Sequence, residues 1–163
     1  MKQLSPDVQQ IVKKLELEAH PEGGFFRRTY LSKQTCTNAE GKTRAAASAI
    51  YFLIPEGHKS HLHRLKSDEI WHFYEGASLT VVQISPQGEV QKIKVGLDWE
   101  KGELPQYLVP AGYWFGSYSN GDYSLVGCTV SPGFVYEDFE LGKRDELIKL
   151  YPHASSEITH LTY

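Results

Sequence analysis

His61 and His63, with Glu69 and Gly76 beyond them, are the residues whose types and spacing can do chemistry. Two imidazoles at i and i+2 share a face only on a β-strand, where successive side chains alternate. Their Cα atoms then lie roughly 6.6 Å apart, so both rings can converge on one ion or one bound molecule. A carboxylate beyond a short turn, Glu69 in Ser67-Asp68-Glu69, completes a set of two imidazoles and one carboxylate. Such a set suits a first-row divalent transition metal with open positions. It also suits acid–base work with no cofactor, an imidazole taking a proton and a neighbouring group returning one. The residue types leave both open.

Strands and turns must position this set, and the chain supplies them. Phe25 to Leu31, Ala46 to Ile54, Lys59 to Leu65, Glu69 to Tyr74, Leu79 to Ser85, Val90 to Val95, Gln106 to Val109, Tyr113 to Tyr118 and Tyr123 to Val130 read as strands. Turn residues separate them, as in Ser85-Pro86-Gln87-Gly88 and Asn120-Gly121-Asp122. Many short strands with such breaks predict an all-β sandwich or barrel. Before them, Ser5-Pro6-Asp7 reads as a helix start, with Val8, Ile11, Val12 and Leu15 at helical spacing and an end near Leu17. After them, Lys143 to Tyr151 reads as a short helix stopped by Pro152. The polar tail from His153 is expected to fray, and residues 33 to 44 to form a mobile loop. The chain is divided as one domain, 1–163: an N-terminal helix in 1–19, the β-domain in 20–136, and a helix and tail in 137–163.

Composition narrows the function classes. With 163 residues the chain can bury a core without staples. The net charge is −3 and Lys and Arg are scattered, so there is no basic stripe for phosphates and nucleic acid is not an expected partner. No apolar run approaches a membrane span, and the first residues lack the apolar core of a signal peptide, so a cytoplasmic protein without membrane contact is expected. Cys36 and Cys128 show no metal spacing and are expected as reduced thiols, Cys128 in the core.

The order of these residues resembles the cupins, small jelly-roll proteins built as a double-stranded β-helix. Their first motif runs Gly, five residues, His-x-His, three or four residues, Glu, six residues, Gly; here His61, His63, Glu69 and Gly76 fill it. Five residues separate His63 from Glu69, and Pro55 stands at the opening Gly position. The second motif ends Pro-x-Gly-x-x-His, and Pro110 and Gly112 match it while Phe115 replaces the last ligand. The pattern is more closely similar to a branch of small single-domain cupins of largely unassigned function. His20-Pro21-Glu22-Gly23-Gly24 followed by Phe25, Phe26, Arg27 and Tyr30, then Ser67 to His72, Pro110 to Trp114 and Pro132-Gly133-Phe134, carry that similarity. Arg28 stands where that branch tends to carry an acid. The resemblance implies the fold, a pocket, a small-molecule ligand and a homodimer.

Strand alternation sorts the candidate pocket residues. If His61 and His63 point inward, Leu62 and Arg64 point out; if Glu69 points inward, so do Trp71 and Phe73, while His72 turns away. Tyr113, Phe115 and Ser117 then share the interior, and Arg27 is a candidate partner for an anionic group. Three functions fit: an isomerase or epimerase acting on a sugar-like or other carbonyl compound, with His61 or His63 as base, Glu69 orienting it and Tyr113 as acid; metal-dependent oxygenase or lyase chemistry on His61, His63 and Glu69; or a non-catalytic binding barrel. The His20–Gly24 segment reads equally as a ligand loop or as a turn needing positive φ at Gly.

Overall fold

Ser5 opens the first helix, α1 (Pro6–Lys14): its hydroxyl accepts from the Val8 amide at 3.3 Å, and Asp7 sits in the first turn, near the positive end of the helix dipole. The computed structural model describes residues 3–163, so Met1 and Lys2, where the reading of the N-terminal segment began, lie outside the described residues. Thirteen strands follow: β1 (Glu18–Ala19), β2 (Phe25–Leu31), β3 (Thr35–Thr37), β4 (Thr43–Ala45), β5 (Ser48–Pro55), β6 (Lys59–Arg64), β7 (Asp68–Gly76), β8 (Leu79–Ile84), β9 (Val90–Val95), β10 (Gln106–Val109), β11 (Trp114–Ser119), β12 (Tyr123–Ser131) and β13 (Glu140–Leu141). Helices α2 (Arg144–Leu150) and α3 (Ser155–His160) close the order.

Two antiparallel sheets carry the fold, one in the order β1-β2-β5-β12-β7-β10 and the other β13-β6-β11-β8-β9. They face each other without hydrogen-bonding into one closed ring, so the expected barrel is a jelly roll of two sheets. Alternation decides what lies between them. Phe52, Ile54, Trp71, Val81, Phe115 and Val126 point inward and form the main core. The residues between them point out and are covered by helices. Leu53 and Leu125 pack under Val8 of α1, while Leu62, Ile84 and Trp114 pack under Leu147, Ile158 and Leu161 of α2 and α3.

Two expectations fail here. The stretch 33 to 44 is a hairpin, β3 against β4, and not a loop. Its turn is built by Asn38, whose Oδ1 accepts from the Glu40 and Lys42 amides at 3.0 and 2.9 Å, and by Gly41 at φ 79°. The polar tail does not fray either. Ala154, Ile158 and Leu161 are wholly buried, their i, i+4, i+7 spacing being a helical stripe inside a polar stretch. Arg144 ties the tail down, donating from Nη2 to the Thr162 carbonyl at 2.6 Å and from Nε to its hydroxyl at 2.9 Å. Both cysteines are free, Cys128 in the core and Cys36 in β3. Among the described residues no helix is long and apolar enough to cross a membrane.

Candidate functional site

The open end between the sheets holds a cavity of about 320 Å³, within the range typical of small-molecule sites. The loop between β1 and β2 brings His20 and Glu22 to it, β2 brings Phe26 and Arg28, β6 and β7 bring His63 and Glu69, and β12 brings Cys128. Phe134 and Tyr136, on the strap that follows β12, complete the wall. A wider, open groove of about 670 Å³ runs between Arg64 and Glu140 on the outside. Its charged groups are already paired, Arg64 with Glu140 at 2.8 Å and Asp138 with Arg44 at 2.9 Å, so it lacks the unspent polar groups of a site.

Glu22 is the centre of the arrangement. Gly23 and Gly24 take φ of 111° and 74°, which folds the loop back across the start of β6. The Glu22 carbonyl there accepts from the His61 amide at 2.8 Å and from His61 Nδ1 at 2.7 Å. The Glu22 carboxylate meets His63 Nδ1 at 2.9 Å, and the His61 carbonyl lies 2.8 Å from the same nitrogen. Both partners of Nδ1 are acceptors, so Nδ1 carries a proton and Nε2 is the ring atom left for a ligand. The His63 ring is wedged 4.1 Å from Phe115 and 5.3 Å from Phe139, centroid to centroid.

Three buried acid–base groups are pushed in different directions. Burial works against a charged Glu22, but the His63 imidazole opposite outweighs it and holds Glu22 below the usual carboxylate range. Burial likewise works against a charged His63, and Glu22, then Glu69, outweigh it and raise the ring above its ordinary value. For Glu69 burial is not outweighed, although the His63 imidazole and the Cys128 thiol pull the other way. Burial pushes it up to about 8, the Glu22 charge adds to the push, and its Oε2 is buried without a hydrogen-bond partner. At neutral pH Glu69 is a carboxylic acid beside an imidazole–carboxylate pair. His20 is held below its ordinary value by burial; its Nδ1 accepts from the Glu22 amide at 3.1 Å, which puts the proton of the neutral ring on Nε2.

The match to known proteins extends over most of the chain. Residues 9–142 fit the family model described as Cupin superfamily (DUF985). The chain is a cupin of this family. An uncharacterized protein of Saccharomyces cerevisiae is 29% identical over 172 residues, covering 94% of this chain and 85% of that one. Two solved structures align along nearly their whole length. A protein of Shewanella oneidensis is 45% identical, with a TM-score of 0.88 and 99% of each chain covered. A hypothetical protein from Leishmania major is 39% identical, with a TM-score of 0.91, 95% of this chain and 98% of that one. Oxalate decarboxylase from Bacillus subtilis shares the fold at 14% identity, with a TM-score of 0.57, 88% of this chain and 36% of that one.

The side chains of this cupin do not fit the metal that some cupins hold. Among the described residues no three His, Cys, Asp or Glu side chains are grouped to bind an ion. The Phe115 ring fills the place of the last ligand and lies against His63. His61 is turned from His63, its Nδ1 spent on the Glu22 carbonyl and its ring stacked 3.8 Å from Tyr163. His61 therefore positions Glu22, and of the set His61, His63 and Glu69 only the last two share the cavity wall.

The remaining sequence candidates divide by burial. Trp71 and Phe115 are core, 1% and 2% exposed, and Phe73 is half-buried against the same core. Ser117 is fully buried, its hydroxyl unpartnered, away from the cavity wall. Tyr113 packs on the core beside Tyr107 and is not a wall residue. Arg27 lies on the outer face, 3.1 Å from Glu16 and over the Tyr51 ring. His72 also faces out, bonded to Thr129 at 2.9 Å. The sequence offers His20 and Glu22 only within a segment that reads equally as ligand loop or turn, and Phe26, Arg28, Cys128, Phe134 and Tyr136 are the wall residues it does not single out. Alternation along β2 and β12 already carried the signal for Arg28 and Cys128, one step from Arg27 and two from Val126.

Proposed function

We propose that this cupin is an enzyme of small molecules that shifts a proton on the carbon next to a carbonyl, as an isomerase or epimerase does. The observation that carries the reading is the 2.9 Å contact of Glu22 with His63 in the cavity wall, beside a Glu69 kept in its acid form. In that arrangement neutral His63 removes the proton through Nε2 while Glu22 steadies the imidazolium that forms. The Glu69 carboxyl donates to the oxygen on which negative charge develops, an interaction strengthened by its dry surroundings. In an isomerisation the proton then returns from His63 to the adjacent carbon; in an epimerisation a phenol gives its proton to the opposite face of the same carbon and regains one from solvent as His63 releases its own, so nothing is oxidised and no cofactor is consumed. The phenol in this scheme is Tyr136, which lines the cavity, in place of Tyr113.

Solvent deuterium wash-in tests this reading. A panel of ketoses and 2-oxo acids is incubated in D2O with the protein and followed by mass spectrometry. Exchange into at least one compound is expected, with a loss of about a hundredfold or more in His63→Asn. The rate should rise with pH as His63 becomes neutral and fall again past about 8 as Glu69 ionises. Binding without exchange across the panel would leave a ligand-binding cupin with no reaction.

A further inference from the structure

Five arginines occur in the sequence, and four of them are committed. Arg27 pairs with Glu16, Arg44 with Asp138, Arg64 with Glu140, and Arg144 with the tail at Thr162. Arg28 differs. It is exposed on β2, opposite Ile50 in the register, where its side chain lies on the cavity side and forms part of the wall. Among the described residues it has no ion pair and no hydrogen bond, even though Glu18 shares the same wall. A guanidinium left in this way at a cavity mouth offers a planar fork of donors, which matches a carboxylate or a phosphate in two parallel bonds.

Of the cavity's other acidic groups, Glu18 forms no ion pair with Arg28 among the described residues, and the two deeper ones are engaged or neutral. The Glu22 carboxylate is spent on His63. Burial keeps Glu69 protonated at neutral pH, so the deep end presents a donor and not a second negative charge. Phe26, Phe134 and Tyr136 add aromatic side chains to the same wall. We infer that the cavity takes anionic small molecules, a carboxylate or phosphate docking on Arg28 at the mouth while a carbonyl end reaches His63 and Glu69. The inference rests on the proposed reading of this cavity as the place where a ligand binds.

Matched neutral and anionic probes test it by calorimetry, in a buffer free of phosphate and carboxylate: fructose 6-phosphate against fructose, and 2-oxobutyrate against butan-2-one. In at least one pair the anion should bind about tenfold tighter or more than its neutral mate, the size expected for a charged hydrogen-bond pair. The pair that discriminates identifies phosphate or carboxylate as the docked group. Arg28→Gln should erase the difference, and Arg27→Gln, on the outer face, should preserve it. Equal binding within both pairs, no binding of either pair, or a preference that survives Arg28→Gln would overturn the inference. Because the readout is binding, the two proposals separate. Anion preference without deuterium exchange removes the reaction and keeps the ligand class; exchange into neutral compounds with no anion preference does the reverse.

Discussion

At the residue scale, the site is a small set of carboxyl groups treated differently by their neighbours. Glu22 and Glu69 are both buried, yet only Glu22 has a cation-forming partner in contact, so one is held ionised and the other neutral. Replacing Glu22 with Gln keeps the shape and removes the charge. His63 then loses its chief support, and its imidazole, titrated by NMR, should fall below its ordinary value of 6.5 instead of rising above it. Breaking such a buried pair costs about 3 kcal/mol or more in conditions where the ring is charged. An unchanged His63 titration would mean that the 2.9 Å contact is not what sets the ring's proton affinity. The sequence showed His63 and Glu69 through their spacing, but it could not show that Phe115 replaces a ligand by packing on the His63 ring. That depends on β11 lying beside β6, a contact between distant segments.

At the element scale, a loop and a tail do work that local sequence understates. The His20–Gly24 loop is both a turn with positive φ and the carrier of Glu22. A methyl group on Gly23 would collide with the Lys59 carbonyl, at a backbone angle that side chains avoid. Gly23→Ala should therefore pull Glu22 from His63 and weaken any bound ligand. Gly41→Ala, with open space around it, should cost only about 1 kcal/mol of backbone strain. Urea unfolding and ligand titration of the two variants check the contrast. The tail gives a third expectation. Leu161 is wholly buried over β6 and β11, and its carbonyl accepts from the Leu62 amide at 2.8 Å, so Leu161→Ala should destabilise the fold by about 2–5 kcal/mol. The nine longer strands were legible because each alternates or is uniformly apolar between turn residues. The tail was not, because its three apolar positions are spread through polar residues and mean something only once a sheet face is there to cover.

At the scale of the whole molecule, the buried groups make stability depend on pH. Glu69 ionises near its ordinary value of 4.5 when unfolded and at about 8 when folded, so between these limits the folded chain holds a proton that the unfolded chain has lost. Its contribution therefore declines as pH rises from 4.5 to about 8. The raised His63 acts in the same direction: its stabilisation is complete below 6.5 and is lost as pH climbs through its folded value. Glu22 works the other way, its contribution present above 4.5 and lost only in acid. Urea unfolding should thus show a protein less stable at pH 8.5 than at pH 6, by on the order of a few kcal/mol, and Glu69→Gln should flatten that slope. An equal slope in the variant would remove Glu69 as its source. The helices on the two outer faces bear on none of these groups, which lie between the sheets. The loop that carries Glu22 does, and it crosses the strand ends from outside. Rebuilding that short crossing segment would retune the basicity of an interior imidazole while every wall strand keeps its sequence, so the frame and its reactivity are separately adjustable.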